Sequence, residues 1–181
     1  MTGRTLQLPA AFLPALHSAL ATERSAVETA TLLREVGYAT GVTISAEFER
    51  WLTEHDRGAA VALLPADEFW PALDQFFQDS GWGSLRHVPL HPGVGALDSP
   101  DWAEAVPESI ASRPSCHLSV GMLAELLGRA ASGAVAVLEV ECRSRGDARC
   151  RHLFGGEAAL NIVFAEVTAG QSYTEGIARL G

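Results

Sequence analysis

Apolar residues recur at three- and four-residue intervals along much of this chain, and each such stretch predicts an α-helix. Phe12, Leu13, Leu16, Leu20, Val27, Leu32, Leu33 and Val36 place a helical segment over Phe12–Val36, ended by Gly37. Thr43–Leu52 reads as a further short helix with Ile44, Phe48, Trp51 and Leu52 on one side. Asp56, Arg57 and Gly58 mark a loop before the apolar run Ala59–Leu64. Asp67 reads as the cap of a helix to about Gln78, with Phe69, Leu73, Phe76 and Phe77 on its apolar face and Pro71 in its first turns. Gly81 and Gly83 break that helix. Ser84–Leu90 alternates as a strand, followed by a glycine-rich turn over His91–Gly95. Ser99 and Pro100 read as the cap and first position of a short helix that carries Trp102 and Val106 and stops near Pro107. Leu118–Arg129 predicts a helix through Met122, Leu123, Leu126 and Leu127. Ala134–Glu141 predicts a strand and Arg149–Phe154 its antiparallel partner, joined by a turn containing Gly146 and Asp147. Ala158–Val167 follows as a helix.

This order predicts an α+β fold, an antiparallel sheet flanked by helices with a β-hairpin near the C-terminus. No linker or repeat divides the chain, so residues 1–181 read as one domain, with 1–36 as a helical segment available for dimerisation. A composition of 48% apolar and 19% charged residues is that of a globular chain. The net charge of −9 argues against direct nucleic-acid binding. Positive charge gathers only at Arg129, Arg143, Arg145, Arg149 and Arg151, mixed with acids, which reads as a solvated hairpin. No apolar run is long enough for membrane insertion, and Met1–Pro9 lacks the features of a signal peptide. A cytoplasmic location is therefore expected.

The three cysteines all fall in the last 66 residues of the chain, with none before. In a reducing compartment they are not expected to pair, and their clustering suggests a metal centre. Cys142 and Cys150 flank the hairpin turn, and Cys116 precedes a helix whose free backbone donors would favour a thiolate. Glu139, His117 and His152 are the available fourth ligands. Glu139 and Cys142 are three apart, so a regular strand would point them to opposite faces, and the strand must bulge or turn between them. Arg143, Arg145 and Arg149 stand ready to offset the anionic centre. The other reading is that the cysteines are ordinary buried thiols.

Cys116, Gly121, the Val135–Glu139 strand, Cys142, Gly146, Asp147, Cys150 and Phe154 resemble the 4-vinyl-reductase domain family. The resemblance is strict over residues 113–154. It implies a small-molecule-binding module, like the sensory domain of aromatic-responsive bacterial activators, and a structural zinc held by Cys116, Glu139, Cys142 and Cys150. It implies a pocket upstream of the first metal cysteine using a histidine and a tryptophan, for which His87 and Trp102 stand. The apolar positions Phe69, Phe76, Trp82, Val88, Val106, Leu118 and Met122 are the further candidate lining. The expected partners are a small hydrophobic or aromatic molecule, a second copy of the chain as a homodimer, and a signalling or biosynthetic protein. The activators carry an ATPase and a DNA-binding domain that this chain lacks. No dinucleotide fingerprint, nucleophile elbow or open metal position is apparent, so catalysis is not the leading expectation. A structural dimerisation module and an accessory vinyl reductase of tetrapyrrole metabolism are the alternatives.

Overall fold

The computed structural model describes residues 8–9, 11–57, 61–108 and 111–181. Residues 1–7 of the Met1–Pro9 reading, Gly58 and the start of the Ala59–Leu64 run therefore lie outside the described residues. Four strands, β1 (Arg86–His91), β2 (Val94–Ser99), β3 (Ala136–Glu141) and β4 (Cys150–Gly155), form one antiparallel sheet in the spatial order β1-β2-β4-β3. Six helices surround it: α1 (Phe12–Glu23), α2 (Ala26–Glu54), α3 (Ala66–Asp79), α4 (His117–Ala130), α5 (Glu157–Thr168) and α6 (Tyr173–Ala178). The α+β reading, with helices flanking an antiparallel sheet, holds.

Both faces of the sheet are covered. Leu97, Val137, Cys150 and Phe154 point into a core shared with Phe48, Leu73, Phe77, Met122 and Leu126 of α2, α3 and α4. Val94, Ala96, Leu138 and Leu153 point the other way, onto Leu160 and Val163 of α5 and Ile177 of α6. This two-sided burial explains why β2 escaped the sequence reading, which put a turn and a helix start there. All six of its residues are buried, so no polar face alternates with an apolar one. Residues 100–108 form bends and turns, not a helix. Ser99 is the last residue of β2, and its hydroxyl accepts from the Asp101 N–H at 3.4 Å.

The expected N-terminal helix also differs. A capping box at Ser25 and Glu28 starts a new helix, and α2 then runs 29 residues through Gly37, absorbing the segment read as separate over Thr43–Leu52. Gly37 does not end it because glycine there serves packing. A Cβ on Gly37 would lie 2.0 Å from the Leu118 carbonyl oxygen of α4, and one on Gly121 of α4 would lie 2.0 Å from the Arg34 carbonyl oxygen. The two backbones therefore touch at their crossing, a contact that only glycine allows. Helix α3 begins one residue before Asp67, which sits with Glu68 in the first turn, where carboxylates favour the helix dipole.

Gly→Ala in a helix ordinarily stabilises by about 1 kcal/mol. Gly121→Ala is expected to do the reverse, lowering the unfolding free energy by at least about 2 kcal/mol in urea titrations because the carbonyl must be pushed away. A more stable variant would contradict the close crossing.

Candidate metal centre and apolar cleft

The hairpin reaches the centre through an irregularity in β3. Glu139 pairs with His152 and Glu141 with Arg151, so one extra residue, Val140, is accommodated between them. Val140 belongs to the α5 side of the sheet while Cys142 belongs to the opposite core, and Glu139 and Cys142 now face the same way. The turn that follows is built from its own side chains. The Asp147 carboxylate accepts from the Cys142 N–H at 2.7 Å and from Arg145 Nε at 2.8 Å, while Arg145 Nη2 donates to the carbonyl of the bulged Val140 at 3.0 Å. Gly146 takes φ +94°, a left-handed conformation that favours glycine.

Cys116, Glu139, Cys142 and Cys150 converge, all buried, with their donor atoms within 4.8 Å of one another. The Cys116 Sγ lies 3.7 Å from that of Cys142 and 3.8 Å from that of Cys150. A tetrahedron with metal–sulfur bonds of about 2.3 Å has edges of about 3.8 Å, so the thiols already stand at the spacing of a closed tetrahedral centre. Glu139 Oε2 accepts from the Cys116 N–H at 2.8 Å, whereas Oε1 is buried with no hydrogen-bond partner among the described residues. An orphaned carboxylate oxygen beside three thiols fits a metal ligand. The group can hold a metal ion.

Hydrogen bonds from the Cys116 and Cys150 thiols hold Cys142 far below the usual thiol range, and donating to Cys142 pushes Cys116 well up. Burial, then the Cys142 charge, pushes Glu139 well above the carboxylate range. One negative charge is kept here and further ones are disfavoured, so a metal ion entering this group would displace protons from the remaining ligands. The sulfurs receive backbone donors from Ser115 and Arg143.

Two sequence expectations are corrected. The first-turn donors of α4 do not serve a thiolate. They serve carboxylates, Glu139 at Cys116 N, and Glu104 at Leu118 N (2.9 Å) and Ser119 N (2.7 Å). Glu104, buried at 1% exposure in the loop after β2, also accepts from the Ser119 hydroxyl, and His17 Nε2 of α1 stands 3.1 Å from it. Sequence reading missed Glu104, since a capping side chain delivered from outside the helix leaves no local pattern. Nor does Arg149 face the centre. It lies against Glu141 at 3.0 Å and Asp98 at 3.5 Å on the other face of the sheet, while Arg145 is engaged by Asp147. His152 is fully buried, with Nε2 3.9 Å from Glu139 Oε1, and burial lowers its pKa to about 4. Neither it nor His117 joins the four-residue group.

The predicted pocket residues are scattered. Phe76, Trp102 and Met122 are packed in the core, where Trp102 Nε1 donates to Ser119 Oγ at 2.7 Å and its ring meets Trp82 at 5.5 Å and Phe77 at 5.4 Å. The Val106 N–H donates to Ser144 Oγ at 2.9 Å beside the metal hairpin. His87 stacks on Trp70 with ring centroids 4.1 Å apart, and burial lowers its pKa. A separate cleft of about 240 Å³ opens at the C-terminal end of α4, between Phe69, Trp70, Leu127, Ala130, Val135 and Phe154. Of the predicted lining residues Phe69 borders it, and His87, Trp102, Trp82, Phe76, Val106 and Met122 do not.

Residues 105–155 match the family model of the V4R domain. No curated protein matches the chain in sequence. Among solved structures, the phenol-responsive sensory domain of the transcription activator PoxR, crystallised with phenol, is similar at 19% identity and TM-score 0.63, covering 93% of this chain and 85% of that one. A vinyl-4-reductase family protein from Methanocaldococcus jannaschii is similar at 16% identity and TM-score 0.51, covering 83% of each chain. A trafficking protein particle complex subunit 3 from Naegleria fowleri, covalently bound to palmitic acid, is similar at 12% identity and TM-score 0.61, covering 81% of this chain and 91% of that one. At these identities the likeness is one of fold.

Glu104→Ala is expected to cost about 2–4 kcal/mol in denaturant titrations, because two buried N–H groups of α4 lose their acceptor. A loss under about 0.5 kcal/mol would mean that water reaches those donors.

Proposed function

We propose that this protein is a binding domain for a small hydrophobic or aromatic molecule, a sensor or carrier, stapled by a structural zinc ion on Cys116, Glu139, Cys142 and Cys150. The observation that carries the metal half is the tetrahedral spacing of three buried thiols around an orphaned carboxylate oxygen. Thiolates select zinc over magnesium or calcium, and four protein donors leave no position for an activated water. The metal then locks the hairpin to the start of α4 and does no chemistry itself.

Supporting the binding half are the V4R match, the fold shared with a phenol-responsive sensory domain, and the apolar cleft. An apolar cavity of about 150 Å³ is enough for benzene, so a cleft of about 240 Å³ suits a single substituted ring or a short aliphatic chain. Its lining is entirely apolar apart from the Trp70 indole N–H. The cleft touches Leu127 and Ala130 of α4 and Phe154 of β4, and the metal group touches the other ends of the same two elements. Occupancy is thereby conveyed along α4 and β4 to a partner protein.

A homodimer is the accompanying proposal. Phe12 on α1 and Val27, Val36, Tyr38 and Val42 on α2 are exposed apolar residues on neighbouring helices. A strictly monomeric mass in solution at micromolar concentration would remove it.

Untreated protein is expected to scatter anomalously at the zinc edge, and Cys142→Ala to melt at the temperature of chelator-stripped parent. Parent that melts identically with and without chelator would end the structural-zinc reading. Toluene or phenol at a hundred times Kd is expected to stabilise the parent by about 2.7 kcal/mol. Ala130→Phe, which fills the cleft, is expected to lose that stabilisation. If neither probe shifts the parent's melting nor appears by native mass spectrometry, the cleft is not the binding site.

A further inference from the structure

The irregularity that turns Glu139 and Cys142 inward leaves Glu141 on the opposite face of the sheet, where it meets residues of α6 and β4. Alternation along β4 does the same for Arg151, between Cys150 and His152. The reverse side of the metal hairpin thus carries a charged cluster of its own. Arg151, 8% exposed, grips Asp98 of β2 through two parallel bonds, Nε to Oδ1 and Nη2 to Oδ2, both 2.6 Å. Arg151 Nη1 donates to the Tyr173 hydroxyl at 2.7 Å, and that hydroxyl donates to Glu141 Oε1 at 2.7 Å. Arg149 closes the ring, with Nη2 3.1 Å from Glu141 Oε1 and Nε 3.0 Å from Oε2. Two guanidinium groups balance two carboxylates, so the cluster is neutral as a unit, and removing one partner would leave the others uncompensated where they are covered.

Three members of this cluster are sequence neighbours of candidate metal ligands. Glu141 precedes Cys142, and Arg149 and Arg151 bracket Cys150. A side chain anchored on one face of a strand fixes the direction in which the next residue leaves the other face, because the two share a peptide plane. Tyr173 is the member that comes from elsewhere. It opens α6, a helix of only six residues, and its hydroxyl bridges both strands of the hairpin on the face opposite the cysteines.

We propose that this outer-face network is a clamp on the metal hairpin, with Tyr173 as a positioning residue through which the docking of α6 and the affinity for metal reinforce each other. The proposal rests on the metal reading given above. By linkage the coupling is reciprocal: whatever factor the hydroxyl adds to metal affinity, bound metal adds to the docking of α6. The hairpin is then a two-sided device, and the segment beginning at Tyr173 reports on the occupancy of a site it does not touch.

Tyr173→Phe tests this, since it keeps the ring against Arg151 and removes only the hydroxyl. Zinc affinity, measured by competition with a chromogenic chelator, is expected to fall roughly fivefold to tenfold, below the range for direct partners of metal ligands. With Co²⁺ in place of Zn²⁺, the visible bands of the variant are expected to shift or broaden relative to the parent. Amide exchange over 173–178 is expected to slow when zinc is added to the parent and to respond less in the variant. Leu160→Ala, which loosens the same side of the molecule without touching the network, is expected to lower the melting temperature and leave the cobalt spectrum unchanged. Parental zinc affinity and an unchanged cobalt spectrum in Tyr173→Phe, with exchange at 173–178 indifferent to metal, would overturn the clamp alone. Failure of the parent to bind Zn²⁺ or Co²⁺ would overturn the metal reading and the clamp together.

Discussion

The structure is organised around the first turn of α4. An α-helix begins with backbone N–H groups that have no partner inside it, and here three of them lie in the interior of the protein. They are answered by two carboxylates from distant segments, Glu139 from β3 and Glu104 from the loop after β2. Burying two carboxyl groups in an apolar core would be prohibitive without partners, but each accepts backbone N–H bonds at the start of the helix. The consequences reach outward in several directions. Glu104 holds the loop that carries Trp102, whose indole bonds the same Ser119 that Glu104 engages. Glu139 sets the inward direction of β3 beside Cys116, and His17 ties α1 to Glu104.

Much of the metal group was legible from local pattern. The hairpin strands announced themselves through Val135–Glu139 and Cys150–Phe154, and Gly146-Asp147 marked the turn between them. The need for a bulge followed from strand geometry, since residues three apart cannot share a face, and the extra residue at Val140 meets that need. Alternation along β4 put His152 on the face of Cys150, which made it a rival to Glu139. It lies at the edge of the group rather than within it. The choice of Glu139 as the candidate fourth ligand therefore depended on family likeness, because nothing local separates it from the histidine paired with it across the strands.

What stayed hidden was long-range. Nothing local marks Asp98 for a fully buried strand until Arg151, 53 positions later, is seen to neutralise it there. Gly37 reads as a helix stop until Leu118 is seen lying against it. The apolar cleft was unreadable for the same reason. Its lining comes from three separate stretches of chain, 61–70, 127–135 and Phe154, whereas Phe76, Trp102 and Met122, which looked like ligand contacts, fill the core of the protein itself. Local chemistry predicted elements and a metal group; the places where backbone meets backbone needed the folded chain.

The crossing of α2 and α4 has a mechanical meaning. Helices separated by a layer of side chains can shift by repacking rotamers, as small shear motions do. Gly37 and Gly121 remove that layer at the point of contact, so the carbonyls of one helix rest on the backbone of the other. Such a joint has no slack. It resists sliding of one helix on the other, and Gly41, whose added Cβ would meet the Met122 carbonyl and the Glu125 side chain, extends it by a further turn. A displacement at the C-terminal end of α4, beside Leu127 and Ala130, would then move α2 and α4 together as one body.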